Sequence, residues 1–193
     1  MEHEQELVAR FMTGDQDAFA ELVDAYQRSV YNLTYRMLGE AGEAEDAAQE
    51  AFLRAYQHID RYDSSRPFKT WLLSIASNYC IDRLRKRRLT WLSIDEPLPP
   101  HPALSSSEDE PEDAAMIDER QVAVQAMLAE LAPEYRAAVI LRYWYDMSYQ
   151  EIAELLDTTE SAIKSRLFRA RQALSDQLQT SGVAQLMVAV EGV

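Results

Sequence analysis

The sequence predicts an all-α protein of two small helical domains joined by a flexible acidic linker, the second domain containing a helix-turn-helix. Apolar residues recur at intervals of three and four along nearly every segment, which is the spacing of one side of an α-helix. The 193 residues include only 5 glycines, and a hydrophobic content of 47% can supply a core. A Pro- and Ser-rich segment, 93–118, separates two helical regions, 1–92 and 119–178, and an apolar tail, 179–193, follows them.

Four helices are predicted in the first domain. Glycines or polar loops separate them, and the fourth helix follows the loop Arg61–Pro67. Their predicted bounds are Glu2–Thr13, Asp17–Leu38, Ala44–Ile59 and Phe68–Arg88. The fourth helix ends in five cations, more than stabilisation of a helix C-terminus requires, so contact with phosphate is favoured. Those cations are Arg83, Arg85, Lys86, Arg87 and Arg88.

The segment 93–118 is predicted to be an extended linker. It contains five prolines, three consecutive serines and eight acidic residues, but no basic residue. The like charges of such a segment repel one another, and the segment buries too little apolar surface to fold. Its 26 residues could extend over at most about 90 Å, which exceeds two turns of B-DNA at about 70 Å. The two domains could therefore contact DNA sites that are two turns apart.

Two amphipathic helices, Ala115–Leu131 and Pro133–Tyr145, are predicted around the start of the second domain. Helical spacing predicts that Val122, Val124, Leu128 and Leu131 form the interior of the first helix, and Val139, Ile140, Tyr143 and Trp144 that of the second. These helices lead into the helix-turn-helix, Ser148–Leu178.

The helix-turn-helix is predicted from its capping residues and its corner. Ser148 is a good N-cap, and Glu151 three residues later completes a capping box. Because the corner lacks glycine, Asp157 must supply any left-handed geometry there. Thr159 can cap the second helix, whose segment 164–171 has four cations and no anion. In such a motif the second helix enters the major groove of DNA.

The sequence lacks the residues that several classes of function need. A single cysteine, Cys80, excludes an intramolecular disulfide and a thiolate zinc cluster, and the three histidines are scattered, so we predict neither metal nor cofactor. No Gly-rich phosphate loop or activated nucleophile is present, which indicates that the protein is not an enzyme. No apolar stretch reaches the roughly 20 residues that span a bilayer, and the N-terminus MEHEQEL is acidic, so a cytoplasmic protein is expected.

The formal charge of −14 is unusual for a protein that reads DNA. Residues 1–92 and 119–193 each carry a net charge of only −3, and the linker carries −8. Two nearly balanced domains indicate a protein that a larger partner delivers to DNA. The alternatives are a stand-alone helix-turn-helix regulator, with residues 1–92 as a sensing or dimerising domain, and, third, a helical enzyme such as a hydrolase. The cationic helix face could also be no more than a solvated surface.

Three blocks of the sequence together resemble one family. The block EDAAQEAFLRAYQHIDRYD (45–63) is similar to a polymerase-docking block, and FKTWLLSIASNYCIDRLRKRR (68–88) is similar to a promoter-melting helix that reads the minus-ten element. The block LAPEYRAAVILRYWYDMSYQEIAELLDTTESAIKSRLFRARQAL (131–174) is similar to a domain that reads the minus-thirty-five element. In this order, with an acidic linker, they resemble the extracytoplasmic-function group of bacterial sigma factors, the promoter-specificity subunits of RNA polymerase.

The resemblance implies roles for three sets of residues. The polymerase-binding set, which would grip the coiled coil of the β′ clamp, is Asp46, Gln49 and Glu50. The minus-ten set, which would hold a flipped base and the strand beside it, is Arg61, Ser64, Ser65, Asn78, Asp82, Arg83 and Lys86. The minus-thirty-five set consists of Lys164, Ser165 and Phe168, which would face base edges, and of Arg142, Tyr149 and Arg169, which would hold phosphates. Contact with the polymerase β subunit and binding by an anti-sigma factor are also implied.

Overall fold

The computed structural model describes residues 2–92 and 112–180, and within these ranges the backbone forms helices and no strand, which confirms the predicted all-α fold. The N-terminal range forms α1 (Glu2–Met12), α2 (Gln16–Leu38), α3 (Ala41–Gln57) and α4 (Phe68–Leu92), with a short 3-10 turn, Ile59–Arg61, before α4. The C-terminal range forms α5 (Glu112–Ala129), α6 (Pro133–Trp144), α7 (Tyr149–Leu155) and α8 (Glu160–Thr180). Most of the predicted linker and tail, 93–111 and 181–193, lies outside the described residues, so the domain bounds stay a prediction.

Helix α2 is the centre of the N-terminal bundle, since α1, α3 and α4 all pack against it. It begins after Asp15, whose carboxylate accepts hydrogen bonds from two backbone amides, and its C-terminus is capped by Gly39, which has a φ of 84°. This left-handed geometry is available to glycine without a steric penalty. The buried hydroxyl of Thr34 donates to the carbonyl of Ala44 at 2.8 Å and so joins α2 to α3. The largest fully buried side chains of this bundle include Leu22, Leu33, Met37, Phe68, Leu72 and Leu73.

Helix α5 differs from its prediction in where it starts and in which side it buries. It begins at Glu112, inside the segment predicted as linker. Gln125 and Leu128 are buried, whereas Val122 and Val124, predicted to be interior, are exposed. The interior side of α5 is the side that contains Gln125, whose amide nitrogen donates to two carbonyls of α2. A pattern of apolar residues cannot reveal a polar residue in that position, so the prediction for the two valines was wrong.

A second wrong prediction concerns the end of α6. Tyr143 and Trp144, predicted to be interior, are 58% and 40% exposed. The buried residues of α6 form a continuous run from Arg136 to Leu141, and the helix ends at Trp144. The guanidinium carbon of Arg36 on α2 lies 5.1 Å from the centre of the Trp144 ring. A cation over the ring compensates for its partial exposure, which periodicity along a single helix could not indicate.

The helix-turn-helix is formed by α7 and α8, and its capping residues act as predicted. Ser148 Oγ accepts a hydrogen bond from the amide of Glu151 at 3.2 Å, while the Glu151 carboxylate accepts from the amide of Ser148 at 2.7 Å. Asp157 carries the left-handed corner with a φ of 48°. Thr159 Oγ1 accepts from the amide of Ala162 at 3.2 Å. The predicted capping box, corner and second cap are confirmed.

Replacing Ser148 with alanine is expected to lower the free energy of unfolding by about 1 kcal/mol, because the amide of Glu151 loses its acceptor. Urea denaturation followed by circular dichroism measures this loss. Ser161→Ala is the matched control, since Ser161 is an exposed residue within α8 and its replacement should change stability by no more than about 0.5 kcal/mol. Equal losses in the two variants would contradict the capping role.

The N-terminal and C-terminal helices pack against each other and share one continuous core. Helix α6 contacts both α2 and α4, and α5 lies against α2. The side-chain amide of Gln125 donates to the carbonyls of Tyr35 and Arg36, both at 3.1 Å. The buried guanidinium of Arg136 donates to the carbonyl of Met37. Because the last carbonyls of a helix have no partner within it, these two side chains cap α2 from the other half of the chain.

Candidate nucleic-acid interface

Five of the six residues of the minus-thirty-five set meet in one open concavity of about 570 Å³. Its lining consists of Tyr149, Lys164, Ser165, Phe168, Arg169, Arg171 and Gln172. Phe168 is 57% exposed, so this large apolar ring lies outside the core. An exposed ring among cations suits the major groove, where thymine methyl groups lie beside polar base edges and between phosphate backbones.

Weak contacts hold two cations of this concavity. Lys164 Nζ lies 2.7 Å from Glu160 Oε1, and the hydrogen bond to this carboxylate raises the pKa of Lys164. Arg169 Nη1 donates to Tyr135 Oη at 3.2 Å. Because solvent screens contacts at such exposed positions, phosphates or base edges can compete with both partners.

Arg142, the sixth residue of the set, lies beside the concavity. Its Nη1 donates to the carbonyl of Met147 at 2.8 Å and lies 3.6 Å from the carboxylate of Asp146. Its guanidinium carbon is 5.7 Å from the centre of the Tyr149 ring, which itself lines the concavity. The contact supports a role in orienting Tyr149, in addition to the predicted phosphate contact.

The minus-ten set occupies the loop before α4 and the outer side of α4. Its exposed members are Arg61, Ser64, Ser65, Asn78, Asp82 and Lys86, and its half-buried member is Arg83. Asp63 orders the loop, since its carboxylate accepts from the amide of Ser65 at 2.9 Å. That hydrogen bond lowers the pKa of the Asp63 carboxyl. The loop thus presents its two serines on a backbone that is held in place.

Two carboxylates pair with three arginines of the cationic cluster at the end of α4. Glu43 on α3 contacts Arg83 at 3.3 Å and also contacts Arg87. Arg85 Nε donates to Glu134 on α6 at 2.7 Å, a bond between the two halves of the chain. A DNA phosphate that binds Arg85 must compete with this carboxylate.

The polymerase-binding set lies on the outer side of α3. The inner side is formed by alanines and Phe52 that pack into the core, so helical geometry directs the polar residues outward. Asp46 and Gln49 are exposed, and Glu50 is half-buried and accepts from Arg54 Nε at 2.7 Å. Leu53, one turn beyond Gln49, is 50% exposed on the same side. Sequence reasoning omitted Leu53, although its spacing from Gln49 was a usable signal.

Two further residues of the concavity, Arg171 and Gln172, were absent from the predicted set. Gln172 follows Lys164 and Phe168 at intervals of four, so the three lie along one side of α8. That spacing could have indicated Gln172 from the sequence. Arg171 belongs to the predicted cationic segment 164–171 but was not assigned a role.

Metal ligation and membrane insertion have no candidate site in the part of the chain that the structure describes. No group of three or more histidine, cysteine or acidic side chains is close enough there to hold an ion. No helix within 2–92 and 112–180 is long and apolar enough to cross a bilayer. Cys80 is buried, and burial raises the pKa of its thiol to about 12.

Two family models match the chain. The model of Sigma-70 region 2 matches residues 22–90, which contain the polymerase-binding set and the minus-ten set. The model of Sigma-70, region 4, matches residues 121–174, which contain the minus-thirty-five set.

Named relatives cover most of the chain. The ECF RNA polymerase sigma factor SigW of Bacillus subtilis is 42% identical over 171 residues, which are 86% of this chain and 91% of that protein. The ECF RNA polymerase sigma-E factor of Escherichia coli K12 is 34% identical over 182 residues, 91% of this chain and 94% of that protein.

Solved structures resemble the fold over similar lengths. CnrH in complex with the cytosolic domain of CnrY gives a TM-score of 0.67 at 26% identity, covering 92% of this chain and 98% of that one. The sigma factor RpoE in complex with the anti-sigma factor NepR from Bartonella quintana gives 0.59 at 25% identity, covering 83% and 96%.

The fold and its surfaces define a DNA-binding protein of the transcription machinery. The chain belongs to the sigma-70 family of RNA polymerase sigma factors, in its extracytoplasmic-function group. The resemblance of the three sequence blocks is thereby confirmed, and so is the predicted function of a promoter-specificity subunit. The alternative of a stand-alone helix-turn-helix regulator is not favoured.

Proposed function

We propose that the chain binds core RNA polymerase through the polymerase-binding set and directs it to promoters that the other two sets recognise. The observation that carries this proposal is the concavity on α8, which brings a lysine, an arginine and an exposed phenylalanine together outside the core. Lys164 and Phe168 contact base edges there, while Arg169 and Tyr149 contact phosphates and fix the register. The minus-ten set holds a base that is flipped out of the opened strand.

Dependence on polymerase follows from the charge of the protein. A formal charge of −14 opposes association with a polyanion, and Glu43 and Glu134 neutralise arginines that would otherwise contact phosphate. The polymerase supplies the missing affinity, and the chain supplies the sequence preference. We propose that the chain contributes no catalytic group of its own and acts in the cytoplasm.

The two halves must separate before they can contact promoter elements that are two turns, or about 70 Å, apart. In the structure they share one core, and Gln125 and Arg136 hold α2. The fold resembles CnrH in complex with CnrY and RpoE in complex with the anti-sigma factor NepR. This likeness supports the proposal that the packed arrangement is the inactive one and that an anti-sigma factor binds this chain as well.

Lys164→Ala is expected to change promoter preference by about 1–3 kcal/mol at one base pair of the upstream element, because an ammonium that contacts a base edge discriminates among bases. The measurement is the initiation rate of holoenzyme on promoters that are mutated one pair at a time. Arg28→Ala is the control, since Arg28 is an exposed cation on α2 outside all three sets, and its replacement should leave promoter preference unchanged. Equal weakening on every promoter would show that Lys164 contacts phosphate instead.

A further inference from the structure

Glu160 is an isolated carboxylate on the helix that lines the concavity. It is the first residue of α8, and between Asp157 and Asp176 it is the only acidic residue, whereas segment 164–171 holds four cations. An acid among cations that serve DNA binding opposes phosphate contact through its charge. Its position therefore calls for a role that compensates for this repulsion.

Its side chain meets that of a residue in the minus-thirty-five set. Glu160 Oε1 lies 2.7 Å from Lys164 Nζ, and both side chains are at least half exposed. Glu160, Lys164 and Phe168 follow one another at intervals of four, so they lie along one side of α8. The residues nearest the N-terminus of a recognition helix are those that contact base edges. The pair thus presents an acceptor and a donor side by side at the reading end of the helix.

We propose that Glu160 is a specificity-determining residue that reads a G·C base pair jointly with Lys164. The inference deepens the proposed function and rests on it. In the major groove, guanine offers the acceptors O6 and N7, and the paired cytosine offers the amino donor N4 beside them. Lys164 Nζ donates to the guanine acceptors, and the Glu160 carboxylate accepts from cytosine N4. The donor and the acceptor of the ion pair thus face the acceptors and the donor on the edge of this base pair.

A purely structural role for Glu160 predicts a different outcome. An acid in the first turn of a helix and a Glu–Lys pair at an interval of four both stabilise an exposed helix slightly. If Glu160 had only that role, its replacement would weaken binding to all DNA sequences equally. Joint reading of one base pair, in contrast, changes preference at a single position, and it does so at the same position as replacement of Lys164.

The test is selection of promoters from a library randomised across the upstream element, with holoenzyme made from the full-length chain and core polymerase. Glu160→Ala is expected to reduce enrichment of the G·C pair about tenfold at the base pair where Lys164→Ala acts. Glu160→Gln is expected to shift preference at that pair toward adenine, because glutamine pairs with adenine N6 and N7. Glu130→Gln, which removes an exposed charge outside α8, is the control and should leave the selected sequence unchanged.

Three results would overturn the inference. Glu160→Ala could raise the affinity for every sequence equally, which would show simple repulsion of phosphates. It could leave the selected sequence unchanged, or alter a base pair other than the one that Lys164→Ala alters. If the unmodified holoenzyme selected no sequence at all, the proposed function would fail, and the role of Glu160 with it; a selecting holoenzyme whose preference ignores Glu160 overturns the inference alone.

Discussion

Replacing Arg136 with methionine is expected to lower the free energy of unfolding by about 2–4 kcal/mol and to loosen the packing of the two halves. Its guanidinium donates to the carbonyls of Ala129 at 2.6 Å and Leu131 at 3.3 Å in its own half, and to that of Met37 in the other. Burial lowers the pKa of Arg136 to about 10, so the group is still charged at neutral pH. Methionine fills similar space but leaves the buried carbonyls without donors.

Two measurements separate the effects of this substitution. Urea denaturation reports the loss of stability, and small-angle scattering reports whether the radius of gyration increases as the halves separate. Arg120→Met is the matched control, because Arg120 is an exposed residue of α5 and its replacement should change neither quantity. Gln125→Ala, which removes only the bonds to α2, should increase the radius with a smaller loss of stability. Unchanged dimensions in both variants would contradict the role of these side chains in holding the halves together.

Reversal of charge at Glu50 is expected to weaken binding to core polymerase by about 2 kcal/mol or more, roughly 30-fold in Kd. Glu50→Lys places a cation beside Asp46 and Gln49 on the outer side of α3 and breaks the 2.7 Å bond with Arg54. That bond is a partly exposed pair at an interval of four on one helix, so its loss changes the stability of the chain by only about 0.2–0.5 kcal/mol. The effect on polymerase affinity, measured by competition with another sigma factor, should therefore exceed the effect on folding.

The matched control for this variant is Asp24→Lys. Asp24 is an exposed acid on α2, so its reversal changes the net charge equally but lies on a different helix. Polymerase affinity should fall much more with Glu50→Lys than with Asp24→Lys. Small and equal losses in the two variants would exclude Glu50 from the docking surface, whereas large and equal losses would indicate a nonspecific effect of net charge.

Local signals made the helix-turn-helix predictable. Ser148, Asp157 and Thr159 each act on backbone groups within a few residues of themselves, so residue type and spacing were sufficient to predict the caps and the corner. The exposed side of α8 was predictable for a related reason. Its apolar residues, such as Ile163 and Leu167, fix which side is buried, and the cations then lie on the other.

Contacts between distant parts of the chain were not predictable. Gln125 and Arg136 are polar, so periodicity places them at the surface, yet both are buried because they cap a helix roughly 90 to 100 residues away. The same packing leaves Val124 and Tyr143 exposed. The partners of the cationic cluster on α4 also lay beyond sequence reasoning, since no local rule joins Arg85 to Glu134. Periodicity and local capping rules do not indicate such pairings.

Run-off transcription by purified core polymerase tests the central claim most directly. The claim is that the chain supplies the promoter preference and that the polymerase supplies the affinity for DNA. The template pool should carry many promoter fragments, and binding of the chain alone to the same fragments should be measured at physiological salt. We expect defined transcripts from a subset of fragments only when chain and core are both present, and little binding by the chain alone. Tight binding of duplex promoters by the isolated chain, or transcripts unchanged by its addition, would contradict the central claim.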